Sequence, residues 1–138
     1  MDVPGCAVGR IGPGGSWIGF APTLDDGYAL VVGTASGSRS GPAERDDLLS
    51  LAVAYFEDGL NDPPEELAAT HGDIGALVRH VAEHETDPVR RRLLDEAVDA
   101  VDDGLAADVV IARLTRILAD GTDPIARLTR RAADLSGG

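Results

Sequence analysis

"YALVVGTASGSRSGP", residues 28–42, is where the chain changes from one kind of local structure to another, and its reading decides the fold. The first part is rich in Val and bounded by Gly27 and Gly33, which reads as a strand over about 28–35. "SGSRSG" (36–41) has the composition of a linker. From Pro42 onward the apolar residues recur at helical spacing.

Upstream lie two more short apolar runs, "CAVGRI" and "SWIGF". "GPGG" separates them, a turn sequence because Gly accepts positive φ and Pro fixes its own. With "APTLDDG" as the next turn, the expectation is a three-stranded antiparallel β-meander at about 6–11, 16–20 and 28–35. Ten of the 17 glycines fall in residues 1–41. Trp17 stands alone in this Gly-rich region and is expected to anchor the meander on the helices.

Downstream the punctuation is regular. Asp-Pro occurs at 62–63, 87–88 and 123–124, and Pro42 follows Ser40-Gly41. Asp caps orphan helical N–H groups, and Pro at the first helical position loses no hydrogen bond. Gly59, Gly72, Gly104 and Gly121 sit where left-handed C-caps belong. Helices are therefore predicted near 43–58, 63–71, 74–85, 88–103, 106–119 and 124–135. Each carries an apolar stripe, such as Leu49, Val53, Phe56 and Leu60 in the first, and so needs a surface to pack on. The predicted class is α+β, mostly α: a meander and linker (1–41) packed on a bundle of five to six short helices (42–138), together one compact domain.

The totals bound the function. The 138 residues amount to one domain, with five aromatic residues, all before residue 57. Net charge is −12, from 17 Asp, 7 Glu and 12 Arg, with no Lys. That balance discourages contact with nucleic acid or anionic membranes. The Asp excess without Lys reads either as adaptation to a salt-rich, halophilic cytoplasm or as the Arg-favouring codon use of a high-GC genome; the first is preferred, and it makes the acidity environmental. Cys6 is the single cysteine, so no internal disulfide forms. No apolar run approaches a membrane span, and "MDVPGCAVGR" has no secretory pattern, so a cytoplasmic protein is expected.

"RHVAEHE" (79–85) contains H-x-x-E-H, the zinc-protease signature in inverted order. On a helix His80 and His84 lie about 40° apart, close enough to share a metal, with Glu83 available to activate water. His71 could serve as a further ligand. Against this, Ile74, Leu77, Val78 and Val81 define the buried stripe, and Glu83 points away from it. The inverted zinc-protease fold is also much larger than this chain. The bland reading, a solvated flank, is preferred, and no cofactor is expected.

"ELAATHGDIGALVRHV" (66–81) resembles a helix-turn-helix over some 20 residues, with Leu67, Ala68, Gly72, Val78 and Val81 at the motif's offsets. Asp73 departs from it where an apolar residue is usual. The second helix offers DNA only Arg79 and the histidines, chiefly His80, against Asp73, Glu83 and Glu85, a poor complement to phosphate.

Charge divides the chain: residues 1–41 carry −1, 42–104 carry −12 and 105–138 carry +1. "IARLTR" appears at 111–116 and again at 125–130, which predicts two packed helices with Arg outward. The tail is expected to help form a homodimer whose interface core is Val110, Leu114, Ile117, Leu118, Ile125 and Leu128, with Arg113 and Arg127 at its rim. The functional expectation is a small non-catalytic interaction or regulatory protein working through amphipathic helix faces. A helix-turn-helix regulator (63–85) and a metal-binding protein or zinc hydrolase are the alternatives.

Overall fold

The computed structural model describes residues 6–10, 16–23, 27–34, 37–57, 68–118 and 123–135. Four strands come first: β1 (Cys6–Arg10), β2 (Trp17–Pro22), β3 (Tyr28–Thr34) and β4 (Gly37–Pro42). They form one antiparallel sheet in the order β1-β2-β3-β4. The meander therefore has four strands rather than three, and the stretch read as a linker is its last. Thr34 pairs with Gly37, so only residues 35 and 36 separate β3 from β4. Gly37 has φ 138°, a backbone region that side chains with a Cβ rarely enter. The strand escapes a pattern search because its residues are small, polar and largely exposed. Ladder hydrogen bonds need only backbone.

Alternation sets the two faces of the sheet. Ile18 pairs with Val32 and Phe20 with Leu30, and these four join Val8 in the core under the helices. Trp17, one residue off that register, pairs with Gly33 on the opposite face. Its indole lies so close to Gly33 that any side chain there would run into it. The expectation that Trp17 anchors the sheet on the bundle is thus corrected: it covers the sheet's other side.

Five helices follow among the described residues: α1 (Arg45–Glu57), α2 (His71–Glu83), α3 (Pro88–Asp102), α4 (Ala107–Thr115) and α5 (Pro124–Leu135). Asp87 caps α3 by accepting from the Arg90 N–H at 3.0 Å, and Asp123 does the same for α5 through Ala126 at 3.3 Å. The third Asp-Pro pair, 62–63, lies outside the described residues, as do Gly59 and Gly121. α3 ends in a Schellman arrangement: Gly104 N–H donates to Val101 O, Leu105 N–H to Ala100 O, and Gly104 has φ 67°.

Two helix boundaries need correction. Pro42 closes β4 instead of opening a helix. The helix predicted over 63–71 does not include residues 68–70, which are extended, and 63–67 lie outside the description. Ala68 bridges Ala7 of β1 in parallel, and Ala69 N–H donates to Ala7 O at 2.8 Å. Gly72 is no C-cap either; it lies in the first turn of α2, which Thr70 caps reciprocally with Asp73.

Helix α1 also differs from its predicted amphipathic form. Every residue from Asp47 to Ala54 is buried, because α2, α4, α5 and β1 surround it. A helix enclosed this way needs apolar residues on every side, and all the buried ones here are apolar except Asp47 and Ser50. Its one buried charge, Asp47, is fully enclosed. Asp47 Oδ1 accepts from Arg127 Nε at 2.8 Å, and Oδ2 accepts from the Glu44 N–H at 2.9 Å. Arg131 Nε lies 3.4 Å from the same Oδ2. Arg127 also reaches Glu44 at 3.2 Å, and Arg131 donates to the Pro42 carbonyl at 2.8 Å. Arg127, placed by sequence at an interface rim, in fact turns onto α1 of its own chain.

Asp47→Ala should cost about 3 kcal/mol, the lower end of the range for breaking a buried pair, because both guanidiniums keep some solvent. Urea unfolding of the full chain measures it, and a loss below about 1 kcal/mol would show that the clamp contributes little.

Candidate functional site

The final turn of α2 brings His80 and His84 together. Their ring centroids are 4.2 Å apart at 40°. His84 is the C-cap residue, and its ring Nδ1 lies 2.9 Å from the His80 carbonyl oxygen. A carbonyl only accepts, so Nδ1 carries the proton of that bond and Nε2 holds the lone pair. His80 and Tyr28 form a T-shaped pair at 4.9 Å, and Tyr28 in turn meets Phe20 at 5.6 Å. The ring pair is thereby tied through β3 to the core.

Both histidines line an open cleft of about 220 Å³ with Ala43, Arg45, Leu48, Val81 and Glu85. Leu48 and Val81 are buried and make its apolar wall. Arg45 bonds Glu85 at 3.1 Å and Asp46 at 3.2 Å, bracing the start of α1 against the end of α2. Ala43 also borders a second cleft of about 320 Å³, which runs along Thr23, Gly27, Tyr28 and Ala29 of the sheet and Ser40 to Pro42 of β4.

The other members of the predicted metal set stand apart. Glu83 is exposed and does not line the cleft. His71 begins the same helix, about 13 Å along its axis, with Nε2 3.2 Å from the Val101 carbonyl and its ring against Phe56. Among the described residues no three His, Cys, Asp or Glu side chains converge on one point. The third ligand that the inverted protease signature requires is therefore not found among them.

The helix-turn-helix reading meets a geometric correction. Residues 68–70 are extended and Gly72 is helical, so the described part of 63–85 holds one helix, α2, and no turn before it at Gly72. Arg79, its basic residue, bonds Asp102 of α3 at 2.6 Å. Five of the six apolar residues assigned to a dimer interface (Val110, Leu114, Ile117, Leu118 and Leu128) are buried in this chain's own core, and Ile125 packs beside it. Arg113 donates to the Glu96 carbonyl at 2.9 Å. A second copy could meet the five buried side chains only if the C-terminal helical segment exchanged between copies.

Cys6 is half-buried beside the α2 cap, its Sγ 3.6 Å from Asp73 Oδ2. Burial pushes its thiol pKa up, and the charge and hydrogen bond of Asp73 push it further. Asp73 is held below the usual carboxylate range. The Thr70 N–H bond leads, partial burial opposes it, and the side chains of Thr70 and Cys6 help. Its contribution to stability is thus complete above the ordinary carboxylate pKa and is lost as pH falls through the lower folded value.

Sequence reasoning missed Tyr28, Arg45 and Glu85. Tyr28 carries no local signal because its partner is on a distant helix. Arg45 and Glu85 both sit just inside predicted helix ends (43–58 and 74–85), which could have flagged them as a brace. Compared with protein-family models, curated proteins and solved structures, the chain finds no match.

At pH 8 Cys6 of the folded chain should react with iodoacetamide more slowly than the same thiol in urea, and Asp73→Asn should speed it, because the mutation removes the charge that opposes the thiolate. Unchanged rates in the variant would show that Asp73 does not control the thiol.

Proposed function

We propose that this chain is a small non-catalytic interaction protein of the cytoplasm that presents helix faces to a protein partner. Helix α3 supports the reading. Its inner face, Leu94, Ala97, Ala100 and Val101, is buried, while Asp95, Glu96, Asp99 and Asp102 on the outer face are exposed. Val89 at its start is 67% exposed and Leu105 just past its end is 41% exposed. Asp95 is paired with Arg91 at 3.1 Å and Asp102 with Arg79 at 2.6 Å. Glu96 and Asp99, bracketed by the two uncovered apolar side chains, are therefore the acidic groups this face would present to a partner of opposite charge with small apolar pockets. Charge would steer the encounter and the apolar ends would contribute affinity.

The test is site-specific photo-cross-linking in cells that make the protein. A cross-linker at Arg92 or Asp99 on α3 should trap a discrete adduct that disappears with Val89→Arg and weakens at high salt. The same group at the exposed Ala126 of α5 serves as the control. Equal labelling from both helices, or none from α3, would remove the proposal.

A further inference from the structure

We propose that His80 and His84 form a two-imidazole chelate for a divalent transition-metal ion of the copper, nickel and zinc group, leaving the remaining coordination positions open to the cleft. The first argument is geometric. The residues are one helical turn apart, their rings are 4.2 Å apart, and both line the same 220 Å³ cleft. Two imidazoles at this spacing reach one ion without moving the backbone.

The second argument is the support around the rings. Histidines that bind metals characteristically donate their other ring N–H to a carbonyl or carboxylate, which sets the tautomer and the ring orientation. His84 already does so: Nδ1–H donates to the His80 carbonyl at 2.9 Å, presenting the Nε2 lone pair. Tyr28 packs against the ring of His80 in a T-shaped contact at 4.9 Å. Both rings are positioned before any ion arrives.

Electrostatics adds a third argument. The pair sits at the C-terminus of α2, the negative end of the helix dipole, where a cation is favoured. The Glu85 carboxylate also lines the cleft, but Arg45 neutralises it at 3.1 Å, so the helix end carries this argument. Imidazole nitrogen selects the ion class, since calcium and magnesium want oxygen ligands. Glu83 and His71 take no part, which separates this site from the protease signature.

The experiment titrates the full chain with Cu²⁺, then Ni²⁺ and Zn²⁺, by calorimetry, with electron paramagnetic resonance of the copper complex. One ion should bind per chain, copper tightest, with nitrogen ligation in the spectrum. His84→Ala is a change at an exposed position that should leave the fold intact by circular dichroism. It should weaken binding by at least the roughly 10–100-fold that losing a mere outer-shell partner costs. His84→Gln provides a second variant, and His71→Ala should bind as the parent does. Undiminished affinity in both His84 variants, equal loss in His71→Ala, or no uptake of copper would each overturn the site.

Discussion

A carboxylate with no exposure to water organises this molecule. Asp47 lies in the first turn of a helix whose other buried residues are apolar except Ser50, and an unpaired charge there would oppose burial of the whole helix. Arg127 and Arg131 from α5 and the Glu44 amide offset that cost. The dependence runs both ways. Burial works against the charge on Arg127, yet the hydrogen bond and charge of Asp47, with Asp46 and Glu44, outweigh it and push the guanidinium pKa up. The clamp also fixes direction: Arg131 reaches on to the Pro42 carbonyl, so one side chain joins the end of the sheet, the start of α1 and the middle of α5.

From that clamp the rest of the architecture follows in layers. α1 occupies the centre, the core face of the sheet meets it through β1, and α2, α4 and α5 pack around it, with α3 resting on α2 and α4. The candidate site is a product of the same arrangement. The Arg45–Glu85 bond ties α2 to the start of α1 close to the clamp, and the histidine pair lines the space left beside that junction. Acidic side chains that the core does not use remain on α3.

Much of this was legible in the sequence where the signal is local. The Asp-Pro starts at 87–88 and 123–124, the Gly104 stop and the stripe Ile74, Leu77, Val78, Val81 are statements about neighbouring residues, and they place α2, α3 and α5 well. What escaped depends on distance along the chain. β4 has no apolar alternation, since its partner β3 supplies the buried side chains. Residues 68–70 look helical by composition, but Ala68 and Ala69 pair with Ala7. Arg127 looks like a surface residue until Asp47, 80 positions away, is brought beside it. At the site, the His80–His84 spacing was visible, whereas the cleft that gives it meaning joins two segments remote in sequence, 43–48 and 80–85.

The separation of Asp47 from its two arginines carries a consequence for how the protein is made. During synthesis α1 leaves the ribosome long before Arg127 and Arg131 exist, and its apolar surface cannot be buried without also burying an uncompensated charge. A nascent chain lacking those arginines therefore has reason to stay open, or to be held by chaperones. Completion of the central helix waits on the thirteenth decade of residues and the start of the fourteenth, so that folding is timed by translation of the very segment that neutralises it.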